Sequence, residues 1–277
     1  MVSTALAARG TVGQSPSRSR PSPASTVWVG VVGPLLVRRD DRPLAPPEVG
    51  SRKARTLLAL LAVEQGHPLS VERVAEALWG GIPPQRPAEN VATLISRLRA
   101  SLGRQAIAGQ RTGYWLGEPV RVDLREAATL HADVEARIHA GDPVQGLAAA
   151  RQCLRLLDSG GVLDEMPEAD WAEPARAHHA VLLRRARHAV ARAALRTGDA
   201  RLAARPAEAA FLADPYDETA CRLLMRAHDA AGEPARAAAA YGRLRRILAA
   251  DLGIDPAAET RRLHLAILRG VRSPRHR

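Results

Sequence analysis

Lysine is nearly missing from this chain: Lys53 is the only one, and arginine supplies every other basic side chain. Together with abundant alanine and glycine, this bias is what a GC-rich genome produces, so part of the basic excess is codon drift. Cysteine is scarce too. Cys153 and Cys221 lie far apart on helical patterns, with no CxxC or Cys/His spacing around them. That excludes a zinc ribbon and points to reduced thiols in a core. No stretch reaches the roughly 18 apolar residues of a membrane span. The start, MVSTALAARGTVG, lacks the basic opening and apolar centre of a secretory signal. The chain reads as cytoplasmic and, given its proposed partner below, nucleoid-associated.

Catalytic motifs are missing as well. GSRKART from Gly50 is basic but lacks the Gly-Lys-Ser/Thr order of a phosphate-binding loop. There is no HExxH and no GxSxG. His178 and His179 adjoin, so on a helix they point about 100° apart and make poor co-ligands. Asp164, Glu165, Glu168 and Asp170 form an acidic loop before Trp171, either a solvated surface or a meeting place for a basic partner. No cofactor and no metal are expected, and the chain does not read as an enzyme.

What is present is length and charge. The 277 residues suffice for two domains, each with its own core. The net charge of +11 is uneven: residues 1–120 contribute +7 and residues 121–277 contribute +4. A basic N-terminal half favours a polyanionic partner, nucleic acid before membrane.

Residues 1–26 form a Ser/Pro/Arg-rich arm that cannot build a core and is expected to be disordered. From Val27 short β-runs follow: VWVGVV, LLVRR and the turn DDRP, a small antiparallel sheet. Ser51 can cap a helix through RKARTLLALLAVEQ whose leucines form its buried face, ended by Gly66. Ser70 can cap VERVAEALW, with Val74, Leu78 and Trp79 turned inward.

The most informative segment is Pro87–Leu116. Val91, Ile95, Leu98 and Leu102 recur at helical spacing and can bury one face. Asn90, Thr93 and Arg97 fall within about 60° of one another and roughly 130° from that seam. Such a face is either simply solvated or suited to a DNA major groove. Asn pairs with adenine, Arg with guanine, and a Thr methyl touches the thymine methyl. Arg86, Arg99 and Arg104 surround it, and a short hairpin holding Gln110, Arg111, Thr112 and Tyr114 follows. Arg52 and Lys53 sit on a helix N-terminus, where free backbone N–H groups help hold a phosphate; a solvated first turn is the other reading.

Sheet, helix, helix, groove helix and hairpin, in that order, resemble the response-regulator DNA-binding domain of the OmpR type, a winged helix. Gly33, Pro34 and Leu35, GSRKARTLLALL, SVERVAEALWG, SRLRASLG and RTGYWL carry the match. The resemblance implies that Asn90, Thr93, Arg97 and Arg99 face the major groove and that Gln110 and Arg111 belong to a wing reaching the minor groove. Thr112, Gly113 and Tyr114 either join that contact or simply shape the turn. Arg99, on the flank of the helix, is better placed for a phosphate or an intramolecular pair than for reading a base.

The second half is helical in pattern and repeats. Gly198-Asp199 and Gly232-Glu233 are 34 residues apart, the period of a tetratricopeptide helix pair, and Gly141-Asp142 opens a similar segment. In each, glycine permits the turn and the acid is expected to cap the next helix. Pro206 is expected to kink or shorten its helix. LMRAHDAAGEPARAAAAYGRLRRILAADLGIDP closely resembles the bacterial transcriptional activator domain. In this order the two halves are similar to the Streptomyces antibiotic regulatory protein family.

That resemblance gives an α+β winged helix at 27–119, an all-α tetratricopeptide-like domain at 120–270 and a basic tail at 271–277. It implies a transcriptional activator that binds promoter direct repeats as a side-by-side homodimer and recruits RNA polymerase holoenzyme, including its sigma factor, for a secondary-metabolite cluster. The arginines of Tyr241–Arg246, with Arg222 and Arg226, are candidate polymerase contacts or solvated side chains. Cutting after about Pro119 is expected to keep DNA binding and lose activation. Two other readings remain: a tetratricopeptide adaptor whose winged helix does not bind DNA, and a repressor of the same fold.

Overall fold

The computed structural model describes residues 26–64, 66–110 and 112–270. β1 (Val27–Gly30) pairs antiparallel with β2 (Leu36–Arg39), Val29 opposite Val37. β2 returns into β3 (Arg42–Pro43). Asp40 and Asp41 between them take φ 49° and 62°, the left-handed pair that a two-residue hairpin needs. A fourth, parallel strand completes the sheet. β6 (Val120–Val122) runs parallel to β1, Val27 opposite Val120, so the sheet order is β3-β2-β1-β6.

Between β3 and the wing come α1 (Pro46–Val49), α2 (Arg52–Val63), α3 (Val71–Trp79) and α4 (Pro87–Leu102), which share one buried cluster with the sheet. Ser51 Oγ accepts from the Ala54 N–H at 3.3 Å and Ser70 Oγ from Arg73 at 3.2 Å, so both caps form as expected. α2 buries more than one face. Every residue from Leu57 to Val63 is buried, as suits a helix running through the centre of a core. α4 buries Val91, Ile95, Leu98 and Leu102 along one seam, with Leu94 beside them. A hairpin of β4 (Ile107–Gln110) and β5 (Gly113–Leu116) follows, the wing of a winged helix.

The helical half comprises α5 (Asp123–His139), α6 (Pro143–Leu157), α7 (Glu173–Arg196), α8 (Ala200–Ala213), α9 (Glu218–Ala230), α10 (Pro234–Leu252) and α11 (Ala258–Leu268). Each helix from α5 to α10 packs on its successor, and α7 also packs on α5 and α9. This is the two-layer stacking of tetratricopeptide-like pairs, with α6 and α8 outside the layer that α5, α7 and α9 share. Asp142 and Asp199 cap α6 and α8, accepting from Gln145 N–H at 3.0 Å and Leu202 N–H at 2.9 Å.

Three expectations need correction here. Glu233 does not cap α10, because its carboxylate is taken by His228 at 2.9 Å and by Arg236 at 3.2 Å. Pro206 does not shorten α8, which runs through it for 14 residues with the ring buried. Arg222 is not a free surface cation. Its side chain is only 14% exposed, pairs with Glu259 at 3.4 Å, and donates to Thr260 Oγ1 at 3.1 Å. Arg226 reaches the same Glu259, and Arg243 lies over the Phe211 ring.

The helical half has buried clusters of its own, around Phe211, Leu224 and Leu244 and around Val134 and Val190, but the N-terminal core continues into its first helices. One buried cluster extends from Val27 through the sheet and α2–α4 into Leu124, Cys153, Leu157 and Ala186. Asp123, at the first turn of α5, is 2% exposed. Its Oδ2 accepts the N–H groups of both Val31 and Val32 at 2.9 Å, and its Oδ1 accepts that of Leu124 at 2.7 Å. Burial pushes this carboxyl above its ordinary range, and the three N–H groups oppose the shift. Leu163 N–H donates to Val31 and Gly33 N–H to Gly161, extending the seam.

Candidate nucleic-acid interface

Pro87 starts α4, where a missing N–H costs nothing. The buried seam of α4 fixes its roll on the core, and that roll leaves Asn90, Thr93 and Arg97 exposed together. Their states differ. Asn90 Nδ2 donates to the Arg86 carbonyl at 3.0 Å and Thr93 Oγ1 to the Glu89 carbonyl at 2.9 Å. Both fold back on their own helix, leaving the Asn oxygen and the Thr methyl outward. Arg97 has neither hydrogen bond nor ion pair among the described residues. Arg86, the N-cap, pairs with Glu89 at 3.4 Å, and both are well exposed.

Arg52, at the first turn of α2, is exposed, and its guanidinium has no partner among the described residues. Lys53, its neighbour, is not available in the same way. Its Nζ donates to the Leu78 carbonyl at 2.6 Å and stands 5.3 Å over the Trp79 ring, so it ties α2 to the end of α3. The phosphate-holding role expected of the pair rests on Arg52.

Arg99 departs further from a DNA-facing position. Nε donates to Ile107 and Nη2 to Gly109, each at 2.9 Å, while the guanidinium lies 5.9 Å from the Tyr114 ring centre. Tyr114 is itself 4% exposed, and its backbone pairs with Leu69 through two bonds of 2.9 Å. Both residues are therefore positioning groups that hold the wing on α4. Gln110 and Thr112 are exposed at the hairpin tip; Arg111 lies outside the described residues.

Some determinants of this surface carried no sequence signal. Gly109 has φ +95° inside β4, and a Cβ there would stand 2.1 Å from the Gly113 carbonyl oxygen. Only glycine fits so close an approach. Arg39 donates to the Ser101 carbonyl at 3.0 Å and Ser101 Oγ to that of Glu48 at 2.5 Å, anchoring the end of α4 to the sheet and α1. Among the described residues no cluster of three His, Cys, Asp or Glu could hold a metal, and no helix is long and apolar enough to cross a membrane.

Residues 122–268 match the bacterial transcriptional activator domain. The chain belongs to that family, in its Streptomyces antibiotic regulatory protein group. The regulatory protein AfsR of Streptomyces griseus is 30% identical over 252 residues, 91% of this chain and 25% of AfsR. The transcriptional regulatory protein EmbR of Mycobacterium tuberculosis is 30% identical over 251 residues, 87% of this chain and 63% of EmbR. The chain thus spans about a quarter of AfsR and less than two thirds of EmbR. A solved structure of M. tuberculosis EmbR with a low-affinity phosphopeptide superimposes with a TM-score of 0.77 at 28% identity, covering 91% of this chain and 67% of that one. These relatives bear the names of regulatory proteins and transcriptional regulators.

Proposed function

We propose that this family member is a cytoplasmic, DNA-binding transcriptional activator. α4 enters the major groove of promoter DNA, the β4–β5 wing reaches the adjacent minor groove, and the helical half recruits RNA polymerase holoenzyme. The exposed Arg97, without a partner among the described residues, on the face it shares with Asn90 and Thr93 carries the reading. A guanidinium held by the roll of a buried seam and free of acidic partners suits bidentate pairing with guanine. Arg52 at the helix start adds a phosphate contact. Two copies bind side by side on a direct repeat, and the genes served are a secondary-metabolite cluster, as in the antibiotic regulatory group.

Selection of duplexes from a random pool by the full chain, followed by binding at several salt concentrations, tests the first step. Enrichment of one motif and a steep fall of affinity with salt, through counterion release, are expected. Binding that is indifferent to sequence and salt contradicts it. Transcription from the selected site with purified holoenzyme tests the second step; repression there would reverse the sign of the regulator.

A further inference from the structure

α6 and α8 both pack on α7, outside the layer shared by α5, α7 and α9. Between them lies a cavity of about 550 Å³ whose apolar lining includes Leu154, Val190, Leu202 and Pro206. Its banks are basic. Arg151 and Arg155 on α6, and Arg201 and Arg205 on α8, line it in pairs four residues apart, so each pair stands one turn apart on one face. All four are exposed and have no hydrogen bond or ion pair among the described residues.

This contrasts with three arginines of α7. Arg184, Arg187 and Arg192 each hold a carboxylate. The one acid lining the groove, Asp158, is taken by Arg187 at 2.7 Å. Like charges one turn apart on a helix are mutually unfavourable, and here two such pairs flank one apolar floor.

We propose that this groove binds an acidic amphipathic helix of a partner protein. An apolar ridge at i, i+3, i+4 and i+7 would lie on the floor, and Asp or Glu on its two flanks would meet the arginine rows. A phosphate backbone complements the arginines but not the floor, and the groove offers no aromatic platform for unstacked bases. The groove's chemistry does not depend on α4 binding DNA, and the two are measured separately.

The test is a selection of phage-displayed random peptides on the full chain, depleted against a full-chain variant carrying R151E, R155E, R201E and R205E. Peptides with Asp or Glu around leucine-like residues at helical spacing should be enriched. A synthetic representative should bind the variant at least about tenfold more weakly, with melting temperature and duplex DNA binding unchanged. Ala209→Trp, which fills the groove without altering charge, should weaken the same peptide and keeps the test decisive should the fourfold variant misfold. Enrichment of peptides insensitive to both variants, or no enrichment, overturns the proposal. So does a fourfold variant that folds but loses DNA instead of peptide, because the groove would then be a phosphate contact.

Discussion

Arg99 on α4 donates from Nη2 to the carbonyl of Gly109 on β4, 2.9 Å away. With the Nε bond to Ile107, this fixes the wing at one angle to the candidate groove helix. Arg99→Ala should therefore weaken DNA binding across all sequences by about 1–2 kcal/mol, through a loosened wing, while base preference is kept. Arg99→Lys should rescue little, since an ammonium cannot span two carbonyls as a guanidinium fork does. Binding isotherms on matched and mismatched duplexes separate this from base reading: relaxed preference at a single position would make Arg99 a reader.

Arg97→Ala should behave in the opposite way. A cost of about 1–3 kcal/mol on the selected site, with relaxed preference at one base pair, is expected from a lost bidentate contact. Equal weakening on all duplexes would place Arg97 on a phosphate. Arg52→Ala, by contrast, should weaken all duplexes alike and reduce the salt slope by about one.

Asp123 predicts a stability effect. Asp123→Ala leaves the N–H groups of Val31, Val32 and Leu124 without their acceptor, an expected loss of about 2–4 kcal/mol in urea unfolding. Because burial raises the folded-state pKa, the folded chain holds the proton longer than the unfolded chain. Its contribution is fully present below the ordinary carboxylate pKa and falls as pH rises through the raised value. The gap between parent and variant should narrow from about pH 4 upward. A gap that widens with pH would mean that the charged form is the stabilising one.

The cysteines make a chemical prediction. Burial pushes the Cys153 thiol up to about 11 and the Cys221 thiol up to about 12, and both are free and buried. At pH 8 a thiol of pKa near 11 is only about 0.1% thiolate. Iodoacetamide should leave the native chain unmodified and label both sites in denaturant. Labelling of the folded protein within minutes would contradict this packing.

How much of this was legible in the sequence depended on whether a residue's role is set by periodicity or by a distant partner. The α4 seam, the Ser51 and Ser70 caps and the hairpin follow from local pattern, and they form as read. Lys53, Arg99 and Tyr114 have the right residue type for DNA, but their partners Leu78, Gly109 and Leu69 are brought near only by tertiary packing. β6 was hidden because its alternation, Val120-Arg121-Val122, is only three residues long, too short to separate a strand from a loop. Its pairing with β1, together with the Asp123 seam, means that a cut after Pro119 removes a strand and the acceptor of the Val31 and Val32 N–H groups. Such a fragment should be destabilised rather than an independent DNA-binding unit.

The most direct measurement of the central claim is a footprint of the full chain on its selected duplex. Two protected half-sites of the same orientation, about 10–11 bp apart, are expected. Arg97→Ala should lose protection at one base step in each, and inserting about half a helical turn between the half-sites should abolish cooperative binding. A footprint that is absent, or one unaltered by Arg97→Ala, would contradict the assignment of α4 as the helix that reads DNA.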